Sequence, residues 1–170
     1  MYRETHALVQ GLAPQSLDVL EISGTKWGER FSFRSYRSVA FPEFDICKDT
    51  LDDRFDLIIA DQVFEHLLWP YRAGRNVRAM LKPGAAFLVT TPFLIRVHPT
   101  PVDCSRWTET GIQYLLAECG FELTQIRTGS WGNRACVDAN FTSWPDYLPN
   151  EHSLENEPQF PVVVWALARN

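Results

Sequence analysis

Three side chains are the candidates for taking or holding a proton in a reaction: His66, His98 and Asp103. Imidazole titrates closest to neutrality, and a carboxylate can act as a base or orient one. His98 and Asp103 lie on the segment from Phe93 to Arg106, whose path is fixed by Pro99 and Pro101, with Pro92 just before it. That makes His98 a candidate general base. His66 follows Glu65 at what should be a helix start, where it has either a proton-transfer role or a capping and packing one. Asp103 stands three residues before Arg106, a spacing that suits a loop-fixing ion pair as well as substrate binding. Cys104 has no evident activating partner for nucleophilic chemistry. Glu65-His66 also offers metal-type donors, but Gln62 stands where a further acid would be wanted, so no metal is expected.

These groups need a frame. Asp56 to Ala60 is a short, continuous, apolar run, as expected of a strand buried on both faces. Ala73 to Leu81 places Val77, Met80 and Leu81 on one helical stripe and Arg72, Arg75 and Arg78 mostly outside it. Pro83-Gly84 is expected to stop that helix, and Ala86 to Thr90 reads as a second buried strand. Strand, helix and strand at this spacing make a right-handed crossover with parallel strands. Asp61-Gln62-Val63 then sits at the carboxyl end of the first of these strands, the edge at which open α/β sheets bind ligands.

Upstream, residues 1 to 16 read as a lead-in with one weak helical turn near Pro14. Leu17 to Ile22 is a strand running into Ser23-Gly24-Thr25-Lys26-Trp27-Gly28, a turn whose glycines let backbone approach a ligand. Glu29 to Ser35 has room for a turn or two of helix, Tyr36 to Phe41 is a strand, and Phe44 to Cys47 is a third short one. Downstream, Thr108 caps a helix that Gly120 ends, with Ile112, Leu115, Leu116 and Cys119 inward. Phe121 to Thr128 alternates as a strand does, and Pro161 to Ala168 is a closing, β-branched one. Between them, residues 130 to 160 form a long polar and aromatic insertion with Trp131, Asn133, Arg134, Trp144 and Tyr147. Such an insertion serves as a lid, a binding element or a partner surface.

A chain of 170 residues with 45% hydrophobic and 22% charged residues is expected to form one domain, 1–170. Its net charge of −5 gives no basic footprint for nucleic acid. No run approaches the ~18–20 apolar residues that span a bilayer, and Met1 to His6 lacks a secretory apolar core. Cys47, Cys104, Cys119 and Cys136 have no paired metal spacing and read as reduced thiols of a cytoplasmic protein.

The runs "FDLIIADQVFEHL" (55–67), "LKPGAAFLVTTP" (81–92) and "TETGIQYLLAECGF" (108–121), in this order, resemble a class I S-adenosylmethionine-dependent methyltransferase. The segment His98 to Thr108 is similar to a bacterial subgroup of that superfamily. The resemblance covers roughly Leu17 to Thr128 plus the terminal strand. It implies a Rossmann-like three-layer α/β fold, with a mostly parallel seven-stranded sheet whose last strand is antiparallel. By motif position it implies S-adenosylmethionine as cofactor, with Glu21, Ser23 and Gly24 near its methionine part. Asp49, with Thr50 and Leu51, would lie at the adenine, and Asp61 and Gln62 at the methionine end and the methyl group. Ser23 stands where the family has glycine. The ribose acid of the second strand is replaced by Ala40 or Phe41, with Glu43 as a nearby substitute.

The expected function is therefore methyl transfer to oxygen or nitrogen of a small molecule, an in-line displacement that needs alignment and a base: His98, His66 or Asp103. Residues 130–160 would be the acceptor-side wall or a homo-oligomer contact. The alternative is a non-catalytic methyltransferase-like domain acting as a partner or regulatory subunit, motivated by Ser23 and the missing ribose acid. A nicotinamide oxidoreductase is disfavoured because the turn lacks three-glycine spacing.

Overall fold

The computed structural model describes residues 2–142, 144, 148, 150 and 152–170. Six strands form one sheet: β1 (Asp18–Ile22), β2 (Ser35–Val39), β3 (Phe55–Asp61), β4 (Leu81–Pro92), β5 (Ile126–Trp131) and β6 (Val163–Arg169), in the order β2-β1-β3-β4-β6-β5. β1, β2, β3 and β4 are mutually parallel, and β6 inserts antiparallel between β4 and β5. Five helices accompany them among the described residues: α1 (Tyr2–Gln10), α2 (Lys26–Arg30), α3 (Pro70–Ala79), α4 (Glu109–Glu118) and α5 (Arg134–Asn140).

The apolar runs of β3 and β4 bury both faces because successive side chains point opposite ways. Ile58, Ala60, Phe87 and Val89 pack with Val77 of α3 and with Ile112, Leu115 and Leu116 of α4. Leu57, Ile59, Ala86 and Leu88 pack on the other face with Val9 of α1 and Trp27 of α2. The expected three-layer, mostly parallel α/β fold is therefore present, with six strands rather than seven.

The missing strand is the one expected at Phe44 to Cys47. There the carboxylates bond local amides instead of leaving the backbone to a ladder: Asp45 accepts from the Cys47 amide at 3.0 Å, and Asp49 accepts from the Asp45 amide at 2.7 Å. Such short polar side chains favour turns. Three further expectations shift. The lead-in is a nine-residue helix, α1, rather than one weak turn. The crossover helix runs Pro70–Ala79, so Pro83-Gly84 does not end it; both lie in an irregular start of β4, with Gly84 at φ 75°. The strand expected at Phe121 to Thr128 begins only at Ile126, after a 3-10 turn at Leu123–Gln125. The helix from Thr108 is as expected: the Thr108 hydroxyl accepts from the Gly111 amide at 3.0 Å, and Gly120 takes φ 102° past the helix end.

Candidate active site

The order of the sheet reverses at β1, which pairs with β2 on one side and β3 on the other, so a crevice opens beyond the carboxyl ends of β1 and β3. Ile22 pairs with Ala60, which sets Ser23-Gly24 opposite Asp61-Gln62 as the two lips of that crevice. Both lips carry a non-glycine residue in the left-handed region, Ser23 at φ 61° and Gln62 at φ 58°. That conformation is uncommon and persists only where surroundings hold it. Here a neighbouring strand does so: the Ser23 amide donates to the Val39 carbonyl at 2.7 Å, and the Gln62 amide donates to the Thr90 carbonyl at 3.1 Å.

Two carboxylates border the crevice, in different states. Glu21 is buried and accepts from the Tyr36 hydroxyl at 2.7 Å and from the amides of Trp27 (3.1 Å) and Gly28 (3.3 Å). It therefore fixes the start of α2. A Cβ on Gly24 would meet Glu21 Oε1 at 2.7 Å, which explains glycine at that lip. Asp61 is partly exposed and accepts from Thr90 Oγ1, from the Tyr2 hydroxyl at 3.1 Å and from the Trp27 indole at 3.2 Å. Burial and the Asp61 charge both push the Tyr2 phenol up from its ordinary value.

Glu43, Asp49 and Thr50 are exposed on the turn segment that follows β2. The lips thus bring together Glu21, Ser23, Gly24, Asp61 and Gln62.

Beyond Gln62 the chain makes a 3-10 turn, Phe64–His66, anchored by Phe64 against Phe87 with ring centroids 5.6 Å apart. The proline-containing loop is stitched onto it. The Cys104 and Ser105 amides donate to the Glu65 carbonyl at 2.7 and 3.2 Å, and His66 Nδ1 meets the Val102 carbonyl. The His66 and His98 rings stand edge to face at 4.9 Å, and Trp144 from the insertion stands edge to face with His98 at 5.9 Å. Arg96 lies over that indole at 4.5 Å. Burial holds the His98 imidazole below its ordinary pKa, favouring the neutral ring. Asp103 is bonded by both terminal nitrogens of Arg106 and accepts from the His98 amide at 2.9 Å. The guanidinium holds its carboxyl down at about 2, so Asp103 positions the His98 loop.

Glu65, weighed in the sequence only as a metal-type donor beside His66, is in a state that its residue type does not announce. It is fully buried, neither carboxylate oxygen has a hydrogen-bond partner, and burial pushes its carboxyl up to about 7. Trp27, Tyr2 and Thr90 were equally unforeseen around Asp61. The available signal was polar residues inside or beside apolar runs, such as Thr90 in β4.

In the insertion, Asn133 caps α5 by accepting from the Cys136 amide at 2.9 Å, and Trp131 Nε1 donates to the Leu154 carbonyl at 3.2 Å. The Arg134 guanidinium lies 5.9 Å from the Phe160 ring. Tyr147 lies outside the described residues. A cavity of about 300 Å³ beside the start of α4 is lined by Phe93, Thr108, Glu109 and Ser130, among others.

No family model matches the sequence, and no curated protein matches it. Solved structures do. An S-adenosylmethionine-dependent methyltransferase from Clostridium acetobutylicum matches with TM-score 0.66 at 11% identity, over 99% of this chain and 92% of the other. The N-methyltransferase NodS from Bradyrhizobium japonicum, solved with S-adenosyl-L-homocysteine, matches with TM-score 0.56 at 16% identity, over 99% and 85%. A Haloferax volcanii methyltransferase, solved in complex with the Trm112 methyltransferase activator, matches with TM-score 0.60 at 12% identity, over 98% and 90%. The strand order, the antiparallel β6 and these likenesses agree: the chain has the class I S-adenosylmethionine-dependent methyltransferase fold.

Proposed function

We propose that the protein transfers a methyl group from S-adenosylmethionine to oxygen or nitrogen of a small molecule. The observation that carries this reading is the pair of left-handed residues, Ser23 and Gln62, on the two lips of the switch point, with the Asp61 carboxylate on the second lip beside Gln62. Two such turns bring backbone close to a ligand, and a carboxylate suits a cationic sulfonium and an ammonium head group. The residues fit the cofactor at this end, with Tyr2 as the group that must release Asp61 for a ligand to reach it. Bound there, the cofactor supplies an electrophilic methyl on sulfur. The chain's part is to orient it through Ser23, Gly24, Asp61 and Gln62, with Asp49, Thr50 and Glu43 on the adenosine side. The acceptor side is the cluster around His66 and His98, walled by Trp144, which handles the proton that a hydroxyl or amine must lose. Asp103 holds that loop in place.

The acidic net charge disfavours a nucleic-acid acceptor. Among the described residues, no helix is long and apolar enough to cross a membrane, and four free thiols accord with a reducing, cytoplasmic setting. Calorimetric titration with S-adenosylmethionine and S-adenosylhomocysteine tests the reading: 1:1 binding is expected, and no heat at millimolar cofactor sinks it.

A second reading rests on Tyr2 and Trp27, which already satisfy Asp61. If they never let go, the domain is a non-catalytic subunit. That the Haloferax volcanii neighbour was solved with an activator gives the partner-binding half of this reading, and not the loss of catalysis, a structural parallel. It predicts a stable hetero-complex and no cofactor binding.

A further inference from the structure

We propose that Glu65, His66 and His98 form a site for one divalent transition-metal ion of the zinc type. One donor atom from each residue lies within 4.8 Å of the others. A tetrahedral ion holds neighbouring ligand atoms roughly 3.4 Å apart, so the three need only close inward to bind.

Independent features of the cluster point the same way. The Glu65 side chain is fully buried, and both its oxygens lack a hydrogen bond. Buried carboxylates are normally paired or bound to a metal, and this one is 3.7 Å from His66 Nε2, beyond hydrogen-bond reach. His66 Nδ1 is engaged by the Val102 carbonyl, which fixes the proton on that nitrogen and leaves the Nε2 lone pair facing Glu65. A backbone carbonyl on the far imidazole nitrogen is the usual support of a metal-bound histidine. His98 is held from behind by its amide on Asp103, which Arg106 clamps in turn.

The donor set selects the ion. Two imidazoles and one carboxylate suit zinc, cobalt or iron, whereas magnesium and calcium require oxygen ligands in larger number. Three protein ligands leave a position open for an oxygen or nitrogen donor. Resting on the methyltransferase reading, that donor would be the acceptor group, whose pKa the ion would lower so that its proton leaves to solvent rather than to a free imidazole. Metal binding itself does not depend on that reading. It also departs from the expectation drawn from Gln62: the third ligand comes from the loop after β4, not from position 62.

The test uses the full chain stripped of metal, titrated with Co²⁺ without cofactor and followed by visible absorption and melting temperature. The expected result is one equivalent bound, with visible bands of a nitrogen–oxygen site, no thiolate charge-transfer band, displacement by Zn²⁺ and a raised melting temperature. Glu65→Gln and His98→Ala should each weaken binding by roughly tenfold or more. His98 lies on a surface loop, so His98→Ala decides the matter if Glu65→Gln fails to fold. Absence of bands and of a melting shift overturns the proposal. So does binding unaltered in His98→Ala, or a thiolate band, which would put the ion on cysteine. Cofactor calorimetry, run separately, keeps this outcome distinct from failure of the methyltransferase reading.

Discussion

The indole nitrogen of Trp27 donates to the Asp61 carboxylate at 3.2 Å, linking the helix after the first lip of the crevice to the second lip. Trp27 is buried, stacked on Phe31 with ring centroids 6.0 Å apart and planes within 9°. The Asp61 carboxylate is thus held by a rigid aromatic on one side and by Thr90 on another. The third donor, Tyr2, is at the start of α1 and partly exposed, so it is the bond most easily released.

Tyr2→Phe should therefore strengthen cofactor binding. Removing one neutral donor from Asp61 takes away about 1 kcal/mol of competition, equivalent to a gain of roughly fivefold in affinity. Calorimetry against the wild type measures it, and a loss of affinity would place the Tyr2 hydroxyl among the cofactor's own contacts.

Asp61→Asn separates charge from shape. The amide oxygen can still accept from Trp27, but the negative charge facing a sulfonium is gone. Binding of S-adenosylmethionine should weaken by about 1.5–3 kcal/mol, and that of uncharged-sulfur S-adenosylhomocysteine by clearly less. Equal losses for the two ligands would show that Asp61 does not face the sulfur.

Gly74→Ala should destabilise the fold although it improves helix propensity. Gly74 lies buried in α3, and a Cβ there would sit 2.4 Å from Cys119 Sγ at the end of α4. Propensity contributes up to ~1 kcal/mol in favour of alanine, and overpacking of this kind costs about 1–3 kcal/mol. The urea midpoint should fall for Gly74→Ala, and Cys119→Ala in the same chain should restore most of it.

β3, β4 and α4 were legible in the sequence because their signals are local: runs buried on both faces, a threonine cap, a glycine stop. The lost strand at Phe44 to Cys47 was not, because its apolar residues look extended until Asp45 and Asp49 are seen to bond the neighbouring amides. Helix α1 is secured by non-local contacts, Val9 in the core and Tyr2 on Asp61, which no window of its own residues reveals. The lips of the crevice followed from strand ends, but the left-handed Ser23 and Gln62 did not, since neither is glycine. The unpartnered state of the Glu65 carboxylate was hidden for a further reason. Its isolation from every donor depends on the loop after β4, which folds back and spends its amides on the Glu65 carbonyl rather than on its carboxylate.

At the opposite end of the sheet from the crevice, Asp18 accepts from Arg34 at 2.5 Å and from Lys82 at 2.7 Å, and both cations also reach Asp56, at 2.8 and 2.9 Å. Hydrogen bonds from Arg34, then Lys82, then Ser35 hold the Asp18 carboxyl below its ordinary value. A folded-state pKa depressed in this way stabilises the fold fully above the unfolded value, about 3.9, and the contribution is lost as pH falls below it. Between pH 7 and 5 the Asp18 contribution should therefore be constant, and it should fade from pH 4 downward. Asp18→Asn removes the titrating group, so its urea midpoint should start lower at pH 7 and fall less steeply between pH 4 and 3. Because the four side chains stand partly in water, 0.5 M salt should shrink the difference between the two proteins. Parallel pH profiles for wild type and variant would mean that Asp18 is ordinary in the folded chain and that the network only decorates the strand ends.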